Sequence, residues 1–401
     1  MSTQTVRPAR SRQPRPTGPT PARSFLPAPR VDWALMSAVA GLLVLGTLLV
    51  WSATEPRDLL TGGDTTAYLE KQVANVAIGL VLMLVVLVTD HRWVRILAPV
   101  VYLGSLVGLG LVLTMGSTIN GSRSWLMLGG LSVQPSEFAK LTVVIGMALL
   151  CAERADWSKR GVRSFEVVGM LVIAGLPASL ILLQPDLGTM LVLSATVFGV
   201  LAAAGAPRRW LMMMVAGGVT AAVTAVSLGA LKQYQLDRFL AFTNPDLDPR
   251  GAGYNVEQAR IAVGNGGLFG QGLFDGSQTR SGFVPEQHTD FIFTVAGEEL
   301  GLVGSAILIG LLAVVVWRAL AIARAADDVF GRVAAAGIAC WFGFQAFQNI
   351  GMCLGIMPVT GVPLPFVSYG GSSMFASMLA VGLLHNIHLR SAAAAPTRFL
   401  A

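Results

Sequence analysis

The sequence predicts an all-α integral membrane protein that crosses the membrane about ten times. Composition, the length of its apolar blocks and the placement of basic residues support this together. Of the 401 residues, 54% are hydrophobic and 12% are charged, and the mean hydropathy is +0.65. Water-soluble domains carry roughly 25% charged residues, so a soluble enzyme of one or two domains is excluded. The apolar residues form blocks of about 20, the length a helix needs to cross the hydrocarbon layer.

Ten such blocks can be placed along the chain. They cover approximately residues 33–53, 72–90, 95–115, 137–152, 165–184, 188–206, 210–231, 291–317, 333–355 and 372–389. An even number of spans puts both termini on one side of the membrane. If that side is the cytoplasm, nineteen of the 28 Lys and Arg residues lie inside. Short cytoplasmic loops are enriched in Lys and Arg, so we expect both termini in the cytoplasm.

The chain ends differ in composition from the membrane domain, which we assign to residues 31–390. Residues 1–30 contain six Arg, seven Pro and no acidic residue, so we expect a disordered cytoplasmic tail attracted to anionic membrane lipids. A nucleic-acid-binding arm is the alternative for such a tail, but we expect no nucleic acid partner. Residues 391–401 form a second cytoplasmic tail. The three cysteines lie in or beside apolar blocks without metal-ligand spacing, which is typical of small buried side chains.

Two outer segments are candidates for function. The first joins the third and fourth spans and contains Asn120-Gly121-Ser122-Arg123-Ser124-Trp125. The second, residues 232–290, is rich in aromatic and leucine side chains, so we expect short amphipathic helices resting on the membrane interface or over a cavity. Within it, the glycines of Gly264–Gly272 predict tight turns. This stretch superficially resembles a phosphate-binding loop, but it lacks the preceding strand and the following Lys-Ser/Thr.

Ionisable side chains at the ends of apolar spans are candidates for function because they are costly there. Asp290 is the last carboxylate before the eighth span, where partial loss of water would raise its pKa and make it a better proton acceptor. Alternatively, Thr289 or Asp290 caps the helix, which would still allow the carboxylate to face a cleft. Glu298 and Glu299 cannot share a helix face, so at least one should turn inward, either toward a neighbouring helix or toward substrate.

Three other places carry polar or irregular sequence at the outer side. Glu137 and Lys140, at the start of the fourth span, either neutralise each other or leave Lys140 to bind an anion as a point charge. Asp186, in the turn between the fifth and sixth spans, is explained by helix capping. Segment 358–373 is rich in Pro and Gly and carries no charge. Irregular backbone near membrane depth must be packed or line a wet cavity, and we expect a cavity.

Several of these segments, in this order, resemble the SEDS family (shape, elongation, division and sporulation) of bacterial membrane proteins. The matching stretches are Asn120–Trp125, Gln134–Lys140, Gln184–Thr189, Gly264–Gly272, His288–Phe293 with Gly297–Gly301, and Pro358–Ser373. The family's ten spans agree with the count. Asn349-Ile350-Gly351-Met352 followed by Ser368-Tyr369-Gly370-Gly371 is more similar to elongation-type than to division-type members.

The resemblance implies a peptidoglycan glycosyltransferase of the bacterial plasma membrane that polymerises lipid II for cell elongation and shape. It also implies a class B penicillin-binding protein as the cross-linking partner, facing spans eight and nine. Asp290 matches the family's essential acidic residue, and Trp125 and Lys140 match positions with functional roles. Ser132 stands where some division-type relatives carry an Arg, so phosphate contacts inferred for that Arg cannot be carried over.

Lipid II is an undecaprenyl diphosphate with an α-linked disaccharide pentapeptide, and its polymer is β-1,4-linked, so each transfer inverts the donor carbon and needs one base. We expect Asp290 to accept the proton of the acceptor GlcNAc 4-hydroxyl as that oxygen attacks the donor MurNAc C1. The leaving diphosphate needs cations, with or without Mg²⁺ or Mn²⁺. The outer side offers Lys140, Arg123, Arg238, Arg260 and Arg280.

Of these cations we favour Lys140 and Arg123, because both flank the start of the fourth span. Trp125 either anchors the protein at the headgroup boundary or stacks on a sugar. The remaining candidates for substrate binding are Glu137, His288, Glu299 and Ser368. We predict no set of metal-ligating side chains.

Two other classes of function stay open. A transporter, for instance a lipid II flippase, needs ionisable groups near the bilayer midplane and internal repeats. Here the charges concentrate at the outer surface, and no clear repeat is visible. A non-catalytic scaffold that recruits the cross-linking enzyme is the other class, and under it Asp290→Asn would leave cell shape unaffected.

Overall fold

The computed structural model describes residues 31–57, 62–119, 122–128, 131–153, 162–229, 235, 236, 238, 242 and 251–394. The tail predicted for residues 1–30 and residues 395–401 of the second tail lie outside the described residues. The described residues form ten long helices, two short helices and one small sheet. The all-α class is confirmed.

The ten long helices lie at the positions of the ten predicted spans. They are α1 Trp33–Thr54, α2 Ala67–Val88, α3 His91–Met115, α4 Pro135–Ala152, α5 Ser164–Leu183, α6 Leu187–Ala203, α7 Arg208–Ser227, α10 Ile292–Ala325, α11 Val329–Cys353 and α12 Gly371–Ala394. Eight of them are long and apolar enough to cross a membrane, and the others are α12 and the shorter apolar helix α6. A polytopic membrane protein is therefore confirmed.

Helix α10 runs furthest past its predicted span, since it ends at Ala325 rather than near residue 317. Helix α12 continues to Ala394 and so includes the first residues of the segment assigned to the second tail. Hydropathy marks only the part of a helix that lies in hydrocarbon. Beyond it, Arg318 of α10 donates to Asp32 at the start of α1, with Nη2 and Oδ2 2.7 Å apart.

Helices α4 and α11 form the centre of the bundle. Helix α11 packs against α4, α6 and α10, and α10 also packs against α1. Helix α2 packs mainly on α12, and α3 packs on α4. Helix α7 lies at the periphery, since none of its residues is buried. Its exposed apolar side chains suit contact with lipid tails, which are as apolar as they are.

The segment between α3 and α4 forms a three-stranded antiparallel sheet, which the sequence analysis did not predict. Its strands are β1 Ser117–Ile119, β2 Ser122–Leu128 and β3 Leu131–Val133, in the order β1-β2-β3. Asn120-Gly121 and Gly129-Gly130 join these strands in the sequence, and such dipeptides are typical of tight hairpins. A search for apolar blocks could not detect strands this short.

The long outer segment contains the short helices that its composition predicted. They are α8 Ala252–Asn265 and α9 Ser277–Ser281. Helix α8 packs against α10 and α11, so it rests on the bundle. The part before α8 falls mostly outside the described residues, apart from Gln235, Leu236, Arg238 and Phe242.

The glycine-rich stretch fills a break in α10. The break lies at Gly301, where φ is 67° and ψ is −164°. The N–H of Leu302 donates to the carbonyl of Gly267 at 3.0 Å, and the N–H of Gln271 donates to the carbonyl of Glu298 at 2.9 Å. Segment 264–272 therefore exchanges backbone hydrogen bonds with α10 and packs against the break in this helix.

Candidate active site

A cavity of about 170 Å³ lies at the outer end of the bundle, between the sheet and the ends of α6, α10 and α12. Its walls carry three carboxylates, Asp186, Glu286 and Asp290, together with Arg238 and the ring of Trp125. Hydroxyl groups come from Ser122, Ser124, Thr289, Thr360, Tyr369, Ser372 and Ser373. A water molecule takes about 30 Å³, so the cavity holds about five waters or a polar group of similar size. Hydroxyls, carboxylates and an aromatic ring together suit a hydroxylated ligand.

Asp290 lies on this cavity, in the turn before α10. The N-cap residue of α10 is Phe291, whose side chain makes no capping hydrogen bond. The N–H of Phe291 and the hydroxyl of Thr289 both donate to the carbonyl of Glu286 at 3.2 Å. The prediction that Thr289 or Asp290 caps the helix is therefore wrong. The turn instead leaves the half-buried Asp290 carboxylate on the cavity wall.

Burial raises the pKa of Asp290 to about 7, and the neighbouring Glu286 carboxylate adds to this rise. The Arg238 guanidinium opposes it, whereas Asp186 and Glu137 raise the pKa further. A carboxylate whose pKa lies near the working pH is an effective general base. Asp290 thus has the adjoining cavity and the environment that the sequence hypothesis required.

Segment 358–373 forms the opposite wall, as its composition predicted. Thr360, Gly361 and Pro363 line the cavity. Gly361 has a φ of +71°, and a Cβ there would lie 3.1 Å from Oδ2 of Asp290. A side chain at this position would be strained and would crowd the carboxylate, so glycine is required.

Strand β2 places Trp125 on the cavity wall, where its ring is half-buried. The hydroxyl of Ser122 donates to the carbonyl of Gln184 at 3.0 Å, which ties the sheet to the turn between α5 and α6. An aromatic ring on a polar cavity can stack on a sugar face. This position favours the sugar-stacking alternative for Trp125 over an anchor at the headgroup boundary.

Asp186 caps α6, as its sequence position predicted, and also lines the cavity. Its Oδ1 accepts the N–H of Thr189 at 3.0 Å. Its Oδ2 accepts the Thr189 hydroxyl at 2.8 Å and Nε2 of Gln134 at 3.3 Å. These bonds occupy the Asp186 carboxylate, so Asp290 is the better candidate for a base.

Among the five candidate cations, Arg238 is the one on the wall of this cavity. The two that the sequence favoured lie elsewhere. Arg123 is exposed and donates to the carbonyls of Thr114 at 2.9 Å and Gly116 at 2.8 Å, at the end of α3. Lys140 is fully buried. Nearness in sequence to the start of α4 could not reveal the direction of either side chain.

Glu137 and Lys140 form an ion pair inside the bundle. Lys140 Nζ lies 2.7 Å from Oε1 of Glu137 and 2.8 Å from Oε1 of Gln345. It also lies 5.2 Å from the ring centre of Trp341. Of the two sequence alternatives, mutual neutralisation is the one observed, and neither side chain lines the cavity.

Both glutamates of α10 face protein. The Glu298 carboxylate accepts the backbone N–H groups of Gln278 at 2.7 Å and Thr279 at 2.8 Å, which holds α9 against α10. Oε1 of Glu299 accepts the hydroxyl of Ser52 in α1 at 2.5 Å. The inward orientation is confirmed, and Glu299 makes the contact with a neighbouring helix that was the alternative to substrate binding.

His288 and Ser368 lie behind the cavity wall. The His288 ring packs 5.1 Å from the ring of Tyr68 and 5.7 Å from that of Tyr369, and burial lowers its pKa. The Ser368 hydroxyl accepts the N–H of Leu364 at 2.7 Å, within segment 358–373. Neither side chain lines the cavity, and both pack against residues that form its wall.

Three amide side chains of α11 bond to segment 358–373, and the sequence analysis gave none of them a role at the site: Gln345, Gln348 and Asn349. Their spacing, three and four residues apart, places them on one helix face and was the available signal. For the divalent cation that the sequence left open, no group of three or more His, Cys, Asp or Glu in the described ranges is arranged to hold a metal.

Known proteins match this chain over most of its length. A family model for the FtsW, RodA and SpoVE cell cycle proteins matches residues 33–393. "Probable peptidoglycan glycosyltransferase FtsW" from Trichlorobacter lovleyi is 38% identical over 362 residues, covering 89% of this chain and 92% of that protein. "Peptidoglycan glycosyltransferase MrdB" from Escherichia coli K12 is 36% identical over 367 residues, covering 91% and 95%.

Solved structures share the fold. One from "Structural coordination of polymerization and crosslinking by a peptidoglycan synthase complex" has a TM-score of 0.74 at 32% identity, covering 90% of this chain and 98% of that chain. Thermus thermophilus rod shape determining protein RodA has a TM-score of 0.65 at 31% identity, covering 89% and 96%. Relatives with the division and the elongation names match at similar identity, so the elongation type stays a prediction. The chain belongs to the FtsW, RodA and SpoVE family of cell cycle proteins, the SEDS family that its motifs indicated.

Proposed function

We propose that the protein is a peptidoglycan glycosyltransferase that polymerises lipid II, with Asp290 as the catalytic base. The observation that carries the proposal is the Asp290 carboxylate on a hydroxyl-rich cavity, with a pKa raised by burial to about 7. Similarity to proteins named peptidoglycan glycosyltransferases supports the reaction class.

In the reaction, Asp290 accepts the proton of the acceptor GlcNAc 4-hydroxyl while that oxygen forms a bond to C1 of the donor MurNAc. The bond from C1 to the diphosphate oxygen breaks, and undecaprenyl diphosphate leaves with the electron pair. Because attack occurs opposite the α-linked leaving group, the new bond is β-1,4. A single inversion needs one base, and we assign that role to Asp290 because burial raises the pKa of its carboxylate to about 7. Trp125 provides an aromatic surface for a sugar ring.

The leaving diphosphate is a dianion or more, and its departure is stabilised by a cation in the cavity wall. We assign this role to Arg238, because it lines the cavity and its positive charge lowers the pKa of the nearby Asp290. Arginine binds phosphate oxygens in a bidentate manner that suits a diphosphate. Lys140 and Glu137 pair with each other inside the bundle and do not line the cavity, so we assign neither of them to the diphosphate.

A lipid-linked substrate also needs room for its tail. A small cavity of about 20 Å³ shares Pro185, Leu187, Arg238 and Thr360 with the catalytic cavity. It shares Leu191 with an apolar groove of about 820 Å³ between α6, α7, α10 and α11. The groove is lined by side chains such as Phe198 and Phe344. The catalytic cavity and the apolar groove are therefore neighbours along α6, and this arrangement supports a substrate with a polar head and a long apolar tail.

The cross-linking partner that we propose is a class B penicillin-binding protein. One similar structure comes from work on the coordination of polymerisation and crosslinking by a peptidoglycan synthase complex. On this chain, α10 and α11 offer an apolar groove of about 460 Å³ that includes Trp317 and Phe347. A membrane-spanning helix of the partner is of the right chemistry to pack there.

The test is polymerisation of fluorescent lipid II by the purified full-length protein in detergent, alone and with its partner. Asp290→Asn should lower the rate by about 10²–10⁴-fold, the usual contribution of a positioned base. Asp275→Asn is the control, because Asp275 is an exposed carboxylate of the same outer segment. Glycan synthesis without a membrane also separates a polymerase from a flippase. A near-normal rate for folded Asp290→Asn contradicts the proposal.

A further inference from the structure

Segment 358–365 presents an unusual requirement for hydrogen-bond donors. It contains Pro358, Pro363 and Pro365, it has no helix or strand, and most of its apolar side chains are buried. Irregular backbone in the interior of a membrane protein leaves its carbonyls without partners unless side chains supply N–H groups. The segment therefore depends on donors from a neighbouring element.

One face of α11 supplies these donors. Nε2 of Gln345 lies 2.8 Å from the carbonyl oxygen of Pro363. Nε2 of Gln348 lies 3.0 Å from the carbonyl oxygen of Pro358 and 3.1 Å from the hydroxyl of Thr360. We call Gln345, Gln348 and Asn349 the amide row. All three are fully buried.

Asn349 is the member of the amide row that connects the segment to Asp290. Its Nδ2 lies 2.7 Å from the carbonyl oxygen of Asp290 and 2.7 Å from that of Val362. Its amide group thus uses both N–H bonds to hold the two walls of the cavity together. Gly361, next to Val362, faces Oδ2 of Asp290.

The orientation of Gln345 is itself determined by buried donors. Its Oε1 accepts Nζ of Lys140 at 2.8 Å and Nε1 of Trp341 at 2.7 Å. With the oxygen occupied by two donors, the amide nitrogen must point to Pro363. The buried ion pair of Lys140 with Glu137 fixes the position of that ammonium group.

We propose that the amide row positions Asp290 against segment 358–363, and that Lys140 acts on the reaction through Gln345 and not by contact with substrate. The inference rests on the proposed function, since it gives these residues a part in the same reaction. They are positioning residues. A misplacement of about 1 Å between reacting groups costs about 10²-fold in rate, so the loss of one bond of this row is enough to matter.

The experiment compares Asn349→Leu, Asp290→Asn and the double variant, by measuring kcat and KM for lipid II polymerisation with the purified full-length protein. Asn349→Leu should lower kcat by up to about 10²-fold and leave KM within about twofold. On the Asp290→Asn background it should cause little further loss, because residues that act through one another are not additive. In the same way, the losses of kcat caused by Gln345→Leu and by Lys140→Met should not multiply in the double variant.

Asn386→Leu is the matched control. Asn386 is a buried amide that donates to the carbonyls of Val86, Leu87 and Thr89 at the other end of the bundle. Loss of the Asn386 amide should lower thermal stability but should not cause the loss of kcat that is expected for Asn349→Leu. If Asn349→Leu does not fold, Asn349→Ser takes its place, because its short hydroxyl cannot donate to both the Asp290 and Val362 carbonyls. It should give the same loss of kcat and the same non-additivity with Asp290→Asn.

The outcomes separate the two proposals. If Asp290→Asn polymerises normally, the proposed function fails whatever the amide row does. If Asp290→Asn is impaired but folded Asn349→Leu keeps the wild-type kcat, or if its effect multiplies with that of Asp290→Asn, the amide row has no positioning role. A change confined to KM would also overturn it, because it would mean that these residues affect substrate binding alone.

Discussion

The pH dependence of polymerisation is the most direct consequence of the environment of Asp290. Burial and the Glu286 carboxylate raise its pKa from 3.8 to about 7, against the opposing charge of Arg238. A base with this pKa is about half ionised at pH 7 and roughly a tenth ionised at pH 6. We therefore expect kcat/KM to fall about tenfold per pH unit below pH 7 and to level off above it.

Two substitutions should move this transition in opposite directions. Glu286→Gln removes a negative charge that disfavours ionisation of Asp290, so the transition should move to lower pH. Arg238→Gln removes the positive charge that favours ionisation, so it should move to higher pH. A pair of charges near a protein surface interacts by roughly 1 kcal/mol or more, and 1.36 kcal/mol corresponds to one pH unit. Each displacement should be on the order of half to one pH unit.

The assay is the initial rate of polymerisation at subsaturating fluorescent lipid II, measured from about pH 5 to about pH 9. Asp275→Asn is the control, since this exposed carboxylate should leave the transition in place. A rate that is flat between these limits, or a displacement of both variants in the same direction, would refute the assignment of the transition to Asp290.

Three further predictions concern stability. Because folding raises the pKa of Asp290, its ionisation is disfavoured in the folded state. The stability that the protonated carboxyl contributes is therefore lost as pH rises from about 4 to about 7. Asp290→Asn should unfold at a higher temperature than wild type at pH 8 but not at pH 4. Lys140→Met leaves Glu137 buried without its partner and should cost about 3–5 kcal/mol in denaturation, whereas addition of Glu137→Gln should recover much of it. Gly301→Ala should lower the unfolding temperature, because φ is +67° and a Cβ would lie 2.3 Å from the N of Gly270, whereas Gly310→Ala, which meets open space, should not.

The membrane architecture could be predicted because its signal is local. Each span needs about 20 apolar residues wherever it lies in the bundle, so the approximate positions of the ten helices follow from the amino-acid sequence alone. The small sheet was missed because its strands are shorter than any apolar window. The ends of α10 and α12 were missed because helices continue past the hydrocarbon layer with polar residues.

The candidate site was predicted in part. Asp290 and segment 358–373 could be singled out because a carboxylate and an irregular stretch are both conspicuous beside apolar spans. The capping alternative for Asp290 was wrong because the turn ends at Phe291, a detail of backbone geometry. Arg238 could not be ranked above Arg123, because it is one of four arginines in segment 232–290 and nothing in the sequence separates it from the others.

Hydropathy and composition are enough to establish that the chain spans a membrane, where its helices lie, and which carboxylate precedes the eighth span. The side chains that surround that carboxylate become known only from the packing of the helices. Lys140 bonds to Gln345, which lies 205 residues away in the sequence. The physical reason is that hydropathy and spacing report the local environment of a segment, whereas the direction of a side chain depends on the rotation of its helix and on partners brought together by packing.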